Sequence, residues 1–275
     1  MQESIPLVSR LCCAGQPEVF VFAPTEFFDL SGFRFAAIFT EVQYVWEAIG
    51  RVSAFIDEHC PAARLIGEET QIMAGAILDG GPIVTGRHCV IEAGAYVRGP
   101  ALIGDQVTIR HGAYIRGNAL IGDSCLIGHA TEVKNAIFLN GAKAPHFAYV
   151  GDSILGSRVN LGAGTRLSNL KINREHVLIK VASRIIDTGM RQLGGVLGDD
   201  AQTGCNAVLN PGTLVGPRTL IYPGSAVSGV VPPDTIVKLR AALEYTRRQP
   251  RRASEGLSKR HQALLDCRLR QPGAD

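Results

Sequence analysis

Three cations stand at intervals of eighteen residues, Arg98, Arg116 and Lys134, and each directly follows an aliphatic residue, Val97, Ile115 or Val133. If eighteen residues complete one coil of stacked strands, the three lie one above another at about 4.8 Å, all facing outward. Cations so close repel unless something anionic sits beside them. A phosphate would serve, since arginine and lysine both bind it, but so would carboxylates, with Glu132 or acids of another subunit as the candidates. His111 and His129 repeat the same interval and raise the possibility of a shared metal. Zinc needs at least three well-placed protein ligands, and neither His129 nor His146 has a histidine five residues further on. Surface or subunit-contact histidines are the alternative, and no metal is expected. The stretch Lys143-Ala-Pro-His146-Phe-Ala-Tyr149-Val-Gly-Asp152 carries a histidine whose ordinary pKa suits proton transfer near neutrality; a histidine that merely caps backbone groups is the other reading.

These residues can be placed because of a repeat. Stepping by six from Ile91 gives Val97, Ile103, Ile109, Ile115, Ile121, Ile127, Val133 and Leu139, aliphatic at every step. Two places before each stands a mostly small residue, among them Cys89, Ala95, Ala101, Ala113, Ala119 and Cys125, with Ile137 the largest exception. Three flat strands per coil form a triangular prism in which each six-residue side places one aliphatic residue inside. Glycine after Ile103, Ile121 and Ile127 fits a bend where a side chain is costly. The phase breaks after Leu139 and resumes at Leu155, Leu161 and Leu167, which predicts a loop leaving the prism near 140–149. A second interruption, 168–195, precedes the run Leu197, Thr203, Leu209, Val215, Ile221 and Val227; alternating Val177, Ile179 and Val181 predict a β-rich excursion there.

The flanks differ. Residues 1–60 carry most of the aromatics, and Val42, Val45, Trp46, Ile49, Val52, Phe55 and Ile56 recur at helical spacing, predicting a helix over about 40–59 that packs on the first coils. The prism is expected over 61–236 and a basic tail over 237–275, where from Lys238 onward ten Lys or Arg face four Asp or Glu, a formal +6 against +3 for the chain. No aromatic stacking surface or nucleic-acid motif accompanies that charge, so a solvated tail is expected, with no nucleic acid and no membrane partner. Thirty-one glycines and 6% aromatics suit a core of small and β-branched side chains. Neither a signal peptide nor an apolar run of about 18 residues is present, which gives a cytoplasmic expectation. The seven cysteines lack CxxC spacing and are read as reduced thiols.

The hexad signature resembles the left-handed hexapeptide-repeat acyltransferases, and handedness is taken from that resemblance. A narrower likeness is carried by the 143–152 stretch together with His129-Ala-Thr-Glu-Val-Lys134-Asn135, Asn160-Leu-Gly-Ala-Gly164-Thr165, Asn169-Leu-Lys and Asp187-Thr-Gly-Met-Arg191. Over roughly 109–231 the chain resembles the C-terminal acetyltransferase domain of bifunctional sugar-1-phosphate nucleotidylyltransferase/glucosamine-1-phosphate acetyltransferases, the archaeal-type branch in particular. The resemblance implies a mainly β, left-handed parallel β-helix that uses acetyl-CoA and acts on an amino sugar phosphate as a homotrimer with sites between prisms. It implies His146 as general base, Tyr149, Arg116 and Lys134 as sugar-phosphate contacts alongside Arg98, Asn160 and Asn169 orienting the amine or supporting the oxyanion, and Ala163 and Arg218 beside acyl-CoA. No Gly-rich nucleotide loop is found, so nucleotidyl transfer is not expected. Glu175 and Leu178 stand where that branch carries lysines, which favours a rival reading, a non-catalytic sugar-phosphate-binding or scaffold trimer. A metal-dependent prism like that of some carbonic anhydrases is a third.

Overall fold

The computed structural model describes residues 22–60, 64–181, 184–240 and 245–246. Residues 22–239 fall in one compact unit and 240–275 in a second, so nearly all of the basic tail, like residues 1–21, lies outside the described residues. Within the first unit, parallel strands of two to nine residues stack into a β-helix with three faces. The first face is nine strands deep, running from Gln71–Ile72 to Ile236–Val237. The second and third faces share one sheet because Tyr96–Ile103 bends around the corner between them and pairs with Tyr114–Ile115 on one side and Ala119–Ile121 on the other.

Each side sends one large aliphatic residue and one small residue inward, and the interior holds Ile91, Val97, Ile103, Ile109, Ile115 and Ile121 at 3% exposure or less. Between strands the chain turns through single residues with left-handed backbone. At the corner between the third and first faces these are Glu69, His88, Gln106, Ser124, Gly141, Arg158, Asp200, Arg218 and Asp234, with φ from 54° to 70°. The glycines after Ile103, Ile121 and Ile127 are not the left-handed residues. They are required because the next coil approaches: a Cβ on Gly128 would lie 1.7 Å from the Pro145 carbonyl oxygen.

The expected loop near 140–149 does not leave the prism. Lys143–His146 pairs in register with Leu126–His129, and Tyr149–Gly151 with Glu132–Lys134. The change of phase arises at the corner between the second and third faces. There Gly117 and Asn118 both adopt positive φ, whereas later coils turn through Asn135 alone and then Asp152 alone. Losing one residue in each of two coils shortens them to seventeen, so Ile121 pairs with Phe138 and Phe138 with Leu155. Phe138 and the small Ala136 therefore face inward, while Leu139 and Ile137 face outward into a second core.

That second core covers the third face. Leu102, Leu120, Ile137 and Ile154 meet Trp46, Ile49, Val52 and Ile56 of the helix Glu47–His59. The helix is shorter than its sequence pattern predicts. The Glu47 carboxylate accepts from the backbone N–H groups of Gln43 (2.8 Å) and Tyr44 (3.2 Å), and Arg51 holds the Thr40 and Glu41 carbonyls, which fixes 40–46 as a turn. Arg34 anchors the segment to the prism through Asp105 and Asp123, each at 2.8 Å. The interruption at 168–195 is an antiparallel hairpin, Leu178–Val181 with Arg184–Asp187, whose Val177 and Ile179 also enter the second core. Cys60, Cys89 and Cys125 are buried free thiols, and burial pushes the Cys125 thiol up to about 12; Cys205 is exposed, and the remaining cysteines lie outside the described residues.

Because Phe138 fills the prism interior, Phe138→Ala should lower unfolding free energy by about 3–5 kcal/mol in urea titration. The exposed Phe147→Ala should change it by well under half of that.

Candidate functional site

The second face carries the expected column. Val97 pairs with Ile115 and Ile115 with Val133, so Arg98, Arg116 and Lys134 stand one above another, and Gly151 takes the next place in the register. The repulsion between them is relieved by acids of this same chain. Arg116 donates to Glu132 at 2.7 Å, Lys134 to Asp152 at 3.0 Å, and Arg98 lies in register beside Asp79. The carboxylate alternative thus holds for Arg116 and Lys134. The Arg116 pair is half-exposed and contributes about 0–1 kcal/mol. Its guanidinium keeps further N–H donors beyond the one Glu132 takes.

Asp152 is different, with 3% exposure and three donors converging on its carboxylate. Lys134 Nζ and Asn169 Nδ2 reach Oδ2, at 3.0 and 2.5 Å, and Asn135 Nδ2 reaches Oδ1 at 2.8 Å. The geometry follows from the seventeen-residue coils, because 135, 152 and 169 then form one column at the corner. Asparagine and aspartate tolerate the left-handed turn that this corner imposes on 135 and 152. The hairpin excursion is fastened at the same point. Its base closes through a bridge between Leu170 and Gln192, Gly194 N–H donates to the Asp152 carbonyl, and Gln192 Oε1 accepts from Lys134 Nζ at 3.0 Å. Asn135, Asp152 and Gln192 were not foreseen as site residues. The first two could have been found from the seventeen-residue spacing, whereas nothing local in sequence marks Gln192.

Tyr149 leans over Gly151: a Cβ there would lie 2.6 Å from the phenol oxygen and 2.9 Å from Asn169 Nδ2. Burial raises the phenol pKa, the anions Asp152 and Glu132 add to the rise, and Arg116 and a hydrogen bond from the Asn169 amide oppose it. The phenol is therefore protonated at neutral pH.

His146 ends the first-face strand Lys143–His146, at the corner with the second face. It pairs with His129, and in the same register Ala163 follows it. Phe147 makes the turn with φ 53°, and its ring, 54% exposed, sits against both His146 and His129. The His146 carbonyl accepts from Gly164 N–H, and the imidazole makes no hydrogen bond within the described residues. The His111 and His129 rings stack in parallel, centroids 5.5 Å apart, each with Nδ1 against a backbone carbonyl of the preceding coil. Among the described residues no group of three or more His, Cys, Asp or Glu is placed to hold a metal ion. At most about 10 Å of extended chain separates His146 from Tyr149.

The remaining candidates lie apart from this group. Asn160 is on the first face, in register with Lys143 and Gln202. Arg218 sits at the third corner and is held in a two-bonded ion pair with Asp234, at 2.6 and 2.7 Å. Glu175 pairs with Lys171 at 3.6 Å, and Leu178 opens the hairpin.

Residues 97–190 match the family described as the GMPPB C-terminal domain. They begin in the first coil of the cation column and end past the hairpin. The chain is also 40% identical over 97 residues to a bifunctional sugar-1-phosphate nucleotidylyltransferase/acetyltransferase of Sulfurisphaera tokodaii, covering 35% of this chain and 24% of that one. It is 29% identical over 119 residues to the bifunctional protein GlmU of Methanococcus maripaludis, covering 43% and 29%. The chain thus spans about a quarter of the length of the curated relatives it matches. Among solved structures, a Francisella novicida UDP-N-acetylglucosamine acyltransferase aligns with TM-score 0.32 and 17% identity over 59% of this chain and 62% of that one.

Because a methyl at 151 would meet the Tyr149 phenol, Gly151→Ala should displace that ring from Asn169. A crystal structure of the variant reads this directly, and an unmoved phenol would refute the packing argument.

Proposed function

We propose that this chain transfers an acetyl group from acetyl-CoA to the amine of an amino sugar phosphate such as glucosamine-1-phosphate. The observation that carries the reading is the coincidence of two things within 97–190: sequence similarity to an acetyltransferase-bearing relative, and a stretch of prism surface that turns from His146 at the end of the first face through Tyr149 to Lys134 and Asn169. In the reaction the amine lone pair attacks the thioester carbonyl carbon. His146 accepts the proton that the nitrogen loses, the carbon–sulfur bond breaks, and the thiolate leaves with that proton to give free CoA. Arg116, Lys134 and Tyr149 hold the sugar phosphate, with Arg98 above them; Asn160, Asn169, Ala163 and Arg218 are proposed contacts to the amine, oxyanion and acyl-CoA. For Arg218 this requires release of Asp234.

The protein acts in this reading as a homotrimer with sites between prisms. The third face is covered by the N-terminal helix and the hairpin, which leaves the first and second faces, and the histidine corner between them, for a neighbouring subunit. No described helix is long and apolar enough to cross a membrane, and the site is proposed to work in the cytoplasm. A scaffold that binds without turnover is the second reading, favoured by the acids that already neutralise Arg116 and Lys134.

Release of CoA from acetyl-CoA, measured against a panel of amino sugar phosphates, separates the two. Turnover with at least one is expected, and none alongside measurable binding would favour the scaffold. His146→Ala should lower kcat by roughly 10²-fold or more; an unchanged rate removes His146 from the mechanism. Arg116→Ala should mainly raise KM, the signature of lost ground-state binding. Sedimentation equilibrium should give about three times the 29.4 kDa chain mass.

A further inference from the structure

We infer that Asp152 is a positioning residue that orients Tyr149 through Asn169, and Lys134 directly, so that both present a hydrogen-bond donor to an anionic substrate; this rests on the acetyl-transfer reading for the identity of that substrate. Asn169 Nδ2 donates to Asp152 Oδ2, and the same nitrogen lies beside the Tyr149 phenol oxygen over Gly151. Tied to the carboxylate, the amide is held where it packs against the phenol.

Among the described residues no acceptor takes the hydrogen of the Tyr149 phenol. Lys134 is in the same condition: of its three hydrogens, one meets Asp152 and one Gln192, which leaves a third. A tyrosine O–H and a lysine N–H, both held from behind by one carboxylate, suit a phosphate oxygen. Asp152 is itself locked, by the Lys134 carbonyl on its backbone N–H, by Gly194 on its carbonyl and by Asn135 on its second oxygen. Two members of the network, the donor Asn169 and the acceptor Gln192, come from opposite stems of the hairpin excursion, so closure of that excursion and orientation of Lys134 are one event. The charged groups that face the phenol are Asp152, Glu132 and Arg116, with Lys134 and Arg166 on adjoining coils.

The test uses the full chain with tyrosine labelled at the ring Cζ with ¹³C, Tyr149 being assigned by Tyr149→Phe. Asp152→Asn keeps the shape, and asparagine tolerates the left-handed turn. In that variant Tyr149 should titrate at lower pH than in the wild type, because an anion beside it has gone. Asn169→Ala, outside the prism interior, should move the titration up, because a donor to the phenolate has gone, and it serves if Asp152→Asn does not fold. Titration unchanged in both variants overturns the relay. With glucosamine-1-phosphate and acetyl-CoA, Asp152→Asn should raise KM about tenfold or more with a smaller change in kcat, and adding Tyr149→Phe should cost less than it costs alone. Additive effects overturn the proposal. If the wild type acetylates no amino sugar phosphate, the acetyl-transfer reading fails, and the Tyr149 titration still decides the relay.

Discussion

The structure depends on strict stacking of one coil on the next. Each side of the prism has room for one aliphatic and one small side chain, and each corner admits one or two residues of left-handed backbone. Once the interior residue of a strand is fixed, so is the column in which every outward residue stands. Arg98, Arg116 and Lys134 become neighbours for this reason, although 36 residues separate the first from the last. A one-residue slip would turn interior residues outward and scatter the columns.

The site is made where that stacking is modified. Removing one residue at the corner between the second and third faces tightens two coils and brings Asn135, Asp152 and Asn169 into line. A carboxylate almost without solvent is tolerable there because a lysine and two amides surround it; burying it unpaired would be costly. The hairpin that interrupts the next coil begins at this cluster and returns to it. At the opposite edge, His146 stacks in register after His129, and Phe147 makes the turn where neighbouring coils have Ala130 and Gly164, which puts an imidazole at the corner of the first and second faces. Among the described residues, the helix and the hairpin cover the third face and leave the first and second uncovered, a polarity that a symmetric prism would lack.

The prism was legible in the sequence because its rule is local and repeated: six residues, one aliphatic, one small. The second core was half legible. Its helix showed in the spacing of Ile49, Val52 and Ile56, but the turn over 40–46 depends on Glu47 and Arg51 reaching backward, which apolar periodicity does not register. The region around 140–149 misled because a fixed period of six treats lost phase as added chain. Phe138, adjacent to Leu139, is equally apolar, and only pairing with Ile121 decides which enters the prism. In the site, the cation column was visible and its carboxylate partners only in part. Glu132 could be named, whereas Asp152 stood inside a quoted motif without a role, since its meaning appears only when coils of seventeen residues are stacked. Gln192 lies 58 residues from the lysine it meets and was out of reach of any spacing argument.

The central claim is that one prism face, bounded by the histidine corner and the Asp152 corner, holds an amino sugar phosphate for acetyl transfer. A crystal structure of the full chain with glucosamine-1-phosphate and CoA tests it most directly. The account predicts density for the sugar along that face, phosphate against Tyr149 and Lys134 and amine toward a His146 imidazole of the same or a neighbouring subunit. Sugar density confined to another part of the prism, such as the third corner around Arg218, would contradict it.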